Sequence, residues 1–437
     1  MDPLSIALFT ILGVFILVLL GIHIGVALAL LSVIGIWAIT GKLGVAVSLL
    51  NTTAYRSVMD YIFAVIPLFV LMGILANLSG ATRDLFSSAQ VVFGRIRGGI
   101  GIATVIANAV FAAITGVSVA SAAVFSKLAI PEMMRLNYDR KFAYGIVAGS
   151  AILGMLIPPS ILMIVYGVLT EQSIGKLFAA GIGPGLLVSI ILSLGIWLRV
   201  RMDPQLGGQT EAQAVISFPE LVRAALKPWG VVLLIVLVLG GLYGGFFTPT
   251  EAGAIGAAGA LVLTLAARQL NMQSAIGVLS EIGRSTASIF LLLIAAQMYS
   301  RMLTISGLAS HMSAWAAGLP VPPMVIVLAF VLVFLLLGTI IDSVSILLLT
   351  VPIMFPVIMK LGFDPIWFGM VSIVAIEIGL LTPPFGMVPF AMKSSLGKSA
   401  NLEEIFAGAL PFVVLLMIAL AFVIAFPSIS TWLPSVL

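Results

Sequence analysis

Two short segments constrain this chain more than any other feature: GMLIPPSILM at residues 154–163 and GLLTPPFGMV at residues 379–388. Each sets a pair of prolines inside an apolar run long enough to cross a bilayer. The two align at an offset of 379 − 154 = 225, and the register holds upstream, with Pro131 matching Pro356 and Asp139 matching Asp364. LFAAG and IFAGA then follow after a short insertion. One half of the chain is therefore read as a copy of the other.

The solvent for both halves is lipid. Hydrophobic residues make up 62% of the 437 positions, charged residues 8%, and mean hydropathy is +1.27, which describes an all-α polytopic membrane protein. Apolar runs predict spans at 4–21, 23–40, 61–79, 142–169, 178–198, 229–247, 252–267, 285–300, 366–391 and 405–426. The first begins without a basic leader or a small-residue cleavage pattern and is expected to be retained. Residues 99–126 and 321–359 are apolar but interrupted by polar clusters, and the first is too short for two crossings of about 20 residues each. Both are expected to be re-entrant helical hairpins.

Lys and Arg orient the chain. Arg83, Arg95 and Arg97, then Lys127, Arg135, Arg140 and Lys141, then Arg199, Arg201, Arg223 and Lys227 mark three cytoplasmic loops, whereas 302–320 has neither residue and is placed outside with Met1 and the tail PSISTWLPSVL. The first hairpin then enters from the cytoplasm and the second from the opposite side. The expected organisation is a first repeat at 1–198, a polar cytoplasmic linker at 199–228 and an inverted second repeat at 229–437. Such repeats with broken helices are the architecture of secondary transporters, whose site lies near the midplane where the repeats meet.

The proline pairs fit that architecture chemically. A proline cannot donate to the carbonyl four residues back, so Pro158 is expected to free the carbonyl of Gly154 and Pro383 that of Gly379. An unsatisfied carbonyl in hydrocarbon costs several kcal/mol, and irregular backbone persists only against protein, water or a ligand. Na+, which takes hard oxygen ligands, answers that need, with candidates at Gly154, Ile157 and Ser160 and at Gly379, Thr382 and Phe385. A single such motif would be read as a kink; two in matching places favour a site.

The hairpins carry the facing chemistry. TGVSVASA (115–122) offers Thr115, Ser118 and Ser121 beside Gly116, and GTIIDSVS (338–345) offers Thr339, Asp342, Ser343 and Ser345 after Gly338. Helices starting at these tips would aim partial positive charge and free N–H groups at an anion, so Thr115, Ser118, Asp342, Ser343 and Ser345 are the candidate substrate contacts. Close packing of small residues explains Ser121 and Ser345 equally well. An intramembrane carboxylate such as Asp342 is costly and functional by default. Glu377 reads either as a proton carrier or as a residue that orients the broken span. Glu251 reads as the acidic partner of a helix start capped by Thr248 or Thr250, and His23 as interfacial.

Several classes are excluded. There is no cysteine for a disulfide or thiolate site, the net charge of +4 carries no basic run, and GKS at 397–399 lacks the glycine a phosphate loop needs at Met392. Nucleic-acid binding, nucleotide use and an intramembrane enzyme all lack support.

Across nearly its whole length the chain resembles the large membrane subunit of the tripartite ATP-independent periplasmic (TRAP) transporters. The resemblance rests on FAAITGVSVASAA (111–123), GMLIPPSILMIVYG (154–167), SIGKLFAAGIGPG (173–185), GGFFTPTEAGAIGA (244–257) and EIGLLTPPFGM (377–387). It implies a Na+-driven importer of organic acids in the bacterial inner membrane, working by an elevator motion with a small four-helix membrane subunit and a periplasmic substrate-binding protein. By this resemblance the Na+ ligands fall at Gly116, Ser118, Gly154, Ile157 and Ser160, and at Gly338, Asp342, Gly379, Thr382 and Phe385. Many members have Asn where this chain has Val388 and Ser where it has Val117. Energetics agree with cation coupling, because importing an anion against an inside-negative potential costs ~2.3 kcal/mol per charge per 100 mV. The rivals are a stand-alone ion-coupled anion carrier and an ion channel; paired hairpins without a ring of charge fit occlusion better than a pore. In the elevator reading, residues 99–169 and 321–391 move against a frame of the remaining spans.

Overall fold

The computed structural model describes residues 2–59, 61–208 and 218–437, and among these every regular element is helical. Six helices in the described residues are long and apolar enough to cross a membrane, or seven when the bent pair Arg140–Leu156 and Ile161–Thr170 counts as one span.

The chain opens with α1 (Pro3–Leu19) and α2 (Ile24–Thr40), joined by a turn in which His23 caps α2 by accepting from Gly25 N at 3.3 Å. Next come α3 (Leu43–Met59), α4 (Val65–Leu78) and the short α5 (Ala81–Phe93). The first hairpin is α6 (Gly99–Thr115) and α7 (Ser118–Arg135). Gly116 ends α6 at φ 62°, a left-handed conformation that glycine adopts without a Cβ penalty. The broken span follows as α8 (Arg140–Ala151), α9 (Leu153–Leu156) and α10 (Ile161–Thr170), bent by 40°, and α11 (Ile174–Met202) closes this half.

The second half begins with α12 (Phe218–Leu226), then α13 (Trp229–Ile235) and α14 (Gly241–Tyr243) joined by a π turn. α15 (Pro249–Ala266) starts on a capping box in which the Thr248 and Glu251 side chains each take the other's backbone N–H. After it come α16 (Met272–Ile305) and α17 (Leu308–Gly318). The second hairpin is α18 (Pro323–Gly338) and α19 (Ser343–Lys360), the second broken span is α20 (Pro365–Gly379) and α21 (Met387–Leu396), and α22 (Leu402–Ala425) and α23 (Ser428–Val436) close the chain.

The two broken spans start on matching caps. Asp139 accepts from Phe142 N and Asp364 from Trp367 N, each at 2.8 Å, so both broken spans start on the same aspartate cap. Pro131 and Pro356 both lie inside the returning helix of their hairpin. Contacts between elements exchange in the same way, with α21 packed on α7 and α10 packed on α19.

The helices sort into two packed groups. In one, α4 lies on α15 and α2 on α16; Thr264 Oγ1 donates to Leu75 O at 2.8 Å across the first pair. In the other, α8 and α20 are almost wholly buried and are surrounded by the hairpins, α11 and α22. The closing spans α11 and α22, expected in the frame, pack on the broken spans. A Cβ on Gly149 of α8 would lie 2.9 Å from Phe412 Cβ of α22, an approach only small residues permit, and Trp367 Nε1 donates to Val423 O at 2.9 Å.

Other boundaries move as well. The span expected at 285–300 is part of a 34-residue helix, α16, and α3, α5 and α17 lie where no span was expected. The returning limb of the first hairpin reaches Arg135 rather than 126. The tail is helical and packs on α11. Of the expected linker, residues 209–217 lie outside the described residues, and the rest is largely helical, with α11 running to Met202 and α12 beginning at Phe218.

Candidate functional site

Each hairpin tip closes on the proline break of its own half. A Cβ on Gly154 would lie 2.8 Å from the Val117 carbonyl and 2.9 Å from Ser118 Cα, so the first tip rests directly on α9. In a continuous helix Ile161 N would bond the Ile157 carbonyl; here it donates to Gly116 O at 3.4 Å, which releases the Ile157 oxygen from that helical bond. The second half repeats the device. A Cβ on Gly338 would lie 2.6 Å from Gly379 Cα, and Phe385 N donates to Thr339 O at 3.0 Å rather than to a carbonyl of its own helix. Both breaks carry a cis bond between their prolines.

The expected cation ligands thus fall in two separate groups. Gly116, Ser118, Gly154, Ile157 and Ser160 gather at the first tip, and Gly338, Asp342, Gly379, Thr382 and Phe385 at the second. Some details differ from expectation. The Gly379 carbonyl is not left without a partner, because Thr382 N donates to it at 2.9 Å; a carbonyl oxygen keeps a second lone pair for another ligand. Ser160 caps α10 and donates to Met155 O at 2.5 Å. The Phe385 side chain is exposed, so only its backbone faces the tip. Thr382 Oγ1 donates to Ile378 O at 3.1 Å, which leaves its lone pairs available.

The candidate substrate contacts divide. Asp342 is the N-cap of α19 and accepts from Ser345 N at 3.0 Å and from Ser345 Oγ, so these two are bonded to each other. Thr115, whose Oγ1 donates to Phe111 O at 3.1 Å, lines a cavity of about 510 Å³ between the hairpins and the helices α4 and α16. Ser118 and Ser343 take a third position. They match at the repeat offset, 118 + 225 = 343, and both donate to the fully buried Glu377, Ser343 Oγ to Oε1 at 2.8 Å and Ser118 Oγ to Oε2.

Glu377 is what the sequence left open. It lies on α20 of the second half yet holds the first residue of α7 and the first residue of α19, so one carboxylate joins both tips. Its position in the other half is Ile152, 377 − 225, whose carbonyl is 3.4 Å from Ser118 Oγ. The sequence offered Glu377 as a polar residue in an apolar run but no means of naming its partners.

The two tips are not capped alike. Asp342 caps α19, whereas Val117, its repeat equivalent, offers α7 no side-chain cap. The uncapped terminus borders the 510 Å³ cavity through Val117 and Ala120. Cations on α3 and α16 went unnoticed in the sequence because charge was read as the end of a span: Arg284 lines this cavity, and Arg56 and Arg301 line a second, more polar one of about 850 Å³ beside Glu171.

Comparison with known proteins bears on this arrangement. The family described as “Tripartite ATP-independent periplasmic transporter, DctM component” matches residues 11–429. The C4-dicarboxylate TRAP transporter large permease protein DctM of Pseudomonas aeruginosa is 37% identical over 377 residues, covering 86% of either chain. The sialic acid TRAP transporter large permease protein SiaM of Vibrio cholerae is 34% identical over 378 residues, again 86% of either chain. Among solved structures, the YdaH transporter of Alcanivorax borkumensis superposes with a TM-score of 0.62 over 88% of this chain and 89% of that one, at 18% identity, a likeness of fold.

Proposed function

The chain belongs to the DctM component family of the tripartite ATP-independent periplasmic transporters, and from that premise we propose that it is a Na+-coupled importer of an organic acid. It is a multi-pass membrane transporter of the secondary type and not an enzyme. In this reading it lies in a bacterial inner membrane, receives substrate from a periplasmic binding protein and works beside a small four-helix membrane subunit. Relatives named for C4-dicarboxylates and for sialic acid point to a carboxylate as cargo.

The observation that carries the proposal is the closure of each hairpin tip on its own proline break, with Glu377 tying the two together. Na+ is held, in this account, by backbone and hydroxyl oxygens: at the first tip around Gly116, Gly154 and Ile157, at the second around Gly338, Thr382 and Phe385. The residues fit a hard monovalent cation, since each break replaces helical bonds with bonds to a tip and so turns carbonyl oxygens away from their own helix. Cation binding then fixes the tips, and the fixed tips complete the substrate site. The halves are related by inverted topology, with boundaries at 1–198 and 229–437.

Uptake into proteoliposomes tests this. The chain, its small membrane partner and its binding protein are reconstituted and offered labelled succinate or N-acetylneuraminate. Uptake should require an inward Na+ gradient and the binding protein together. Equal uptake with K+ in place of Na+, or without the binding protein, would overturn the proposal in favour of a stand-alone or differently coupled carrier.

A further inference from the structure

We propose that Arg284, on the frame helix α16, is an anion contact for the substrate's carboxylate in the cavity that opens beneath the first hairpin tip. The inference rests on the transporter reading above for its substrate class. Its geometry is independent of that reading. The cavity of about 510 Å³ is walled on one side by Gly73 and Asn77 of α4 and Arg284 and Ser288 of α16, and on the other by Thr115, Val117, Ala120 and Val344 of the two hairpins. It is therefore the space between the two packed groups, and it reaches both tips.

Three features give this space a sign. Arg284 is the one cation among its lining residues, and among the described residues it makes no ion pair. An arginine inside a transmembrane helix is costly unless it faces a partner or a water-filled cavity. Next, α7 starts here without a side-chain cap, so the partial positive end of its helix adds to the same field. Finally, Ser285 and Ser288 continue the polar face of α16 inward from Arg284, and Thr115 faces them from the hairpin.

Glu281 opposes this field from the same lining. Thr250 Oγ1 donates to Tyr61 O at 3.5 Å and Thr264 Oγ1 to Leu75 O at 2.8 Å, so α15 runs parallel to α4; α16 returns after the short turn between Ala266 and Met272 and so runs antiparallel to α4, with Phe63 against Phe290 at 6.1 Å at one level and Asn77 and Glu281 together at the cavity's mouth. That mouth faces the side where Arg83, Arg95 and Arg97 follow α4, which the positive-inside rule makes cytoplasmic. Glu281 thus stands one turn nearer the mouth than Arg284 along α16, and both side chains are exposed. Because Arg284 belongs to the frame, an anion carried by the hairpins meets it only when the cavity opens on this side. The role is a contact at release, not a permanent part of the carried site.

The chain has no cysteine, so Ala120→Cys places a single thiol in the cavity. In inside-out vesicles its modification rate is compared for an anionic sulfonatoethyl and a cationic trimethylammonium-ethyl methanethiosulfonate. The anionic reagent should be favoured; Arg284→Gln should lower the anionic-to-cationic rate ratio by about threefold or more, as loss of a unit charge from the same cavity requires. Arg284→Lys should preserve the ratio and Glu281→Gln should raise it. An unchanged ratio in Arg284→Gln would overturn the proposal. Should that variant fail to insert, a ratio that does not rise in Glu281→Gln would overturn it equally, and no modification of Ala120→Cys at all would remove the water-filled cavity it depends on. No substrate, Na+ or partner enters the assay, so a failure of Na+-driven uptake would leave this result standing, and the reverse.

Discussion

Ser343 Oγ donates to Glu377 Oε1 at 2.8 Å, while Ser118 occupies the other oxygen of the same carboxylate. Two residues that match at the 225-residue offset are thereby held by a third whose matching position is Ile152, and one carboxylate bonds both hairpins. The account makes Glu377 a positioning residue. Glu377→Gln keeps one acceptor, and its amide can donate to the other serine once that hydroxyl turns; uptake should stay within about threefold of the parent. Glu377→Ala leaves the buried Ser343 hydroxyl unpaired at ~1–3 kcal/mol and Ser118 with only its long 3.4 Å bond to Ile152 O, and uptake should fall more than about tenfold at unchanged membrane abundance. Loss of uptake in Glu377→Gln as complete as in Glu377→Ala would instead make the carboxylate a proton carrier.

Asp342 combines a cap with a charge, and the two roles separate by substitution. Asn caps a helix about as well as Asp, whereas Ala loses ~0.5–2 kcal/mol. Asp342→Asn should therefore insert at parental abundance yet transport poorly, as should Ser343→Ala. Abundance measured by quantitative blotting beside initial uptake rates decides this, and a parallel loss of both would make the residues structural.

Thr382 and Ser121 differ in what surrounds their hydroxyls. Thr382 bonds only its own helix and keeps free lone pairs at the second break. Thr382→Ala should raise the Na+ concentration for half-maximal uptake. Ser121 Oγ is buried with no partner among the described residues, so Ser121→Ala should leave Na+ dependence unchanged and stability equal or up to ~1 kcal/mol higher. Half-maximal Na+ that is the same in Thr382→Ala and the parent would remove Thr382 from the ligand set.

Much of the fold was legible because lipid enforces a plain code. Apolar runs marked the spans, and the offset linking Asp139 to Asp364 located both broken spans and their caps. What escaped were helices whose sequences mix charge with apolar residues. α3 contains Arg56, and the first part of α16 contains Glu281 and Arg284, each of which reads as the end of a span. The tips were legible as glycine and hydroxyl clusters, and the breaks as proline pairs. Their pairings were not: which hydroxyls meet Glu377 depends on how the halves interlock, and no local pattern encodes that. The placement of α11 and α22 escaped for a related reason, since an apolar helix without ligand residues looks the same whether it belongs to a frame or to a moving unit.

That placement is testable by itself. A Cβ on Gly149 would lie 2.9 Å from Phe412 Cβ, closer than the ~3.5–4.5 Å a disulfide spans, so the two helices must part slightly to accept the bridge. With α22 in the same body as α8, a Gly149→Cys, Phe412→Cys crosslink should be tolerated, with oxidised and reduced forms transporting alike. Inhibition relieved by reduction would return α22 to the frame.

The central claim is that the hairpins carry substrate by sliding as one unit past the frame, and a crosslink across that boundary tests it most directly. Gly73 of α4 is the position, since a Cβ there would lie 3.0 Å from Thr115 Cα and 3.5 Å from Thr115 Cγ2, within disulfide reach. A Gly73→Cys, Thr115→Cys chain that transports when reduced should lose Na+-driven uptake on oxidation and regain it on reduction. Full uptake with the crosslink verified by mass spectrometry would contradict a sliding carrier and leave local opening of the tips as the transport step.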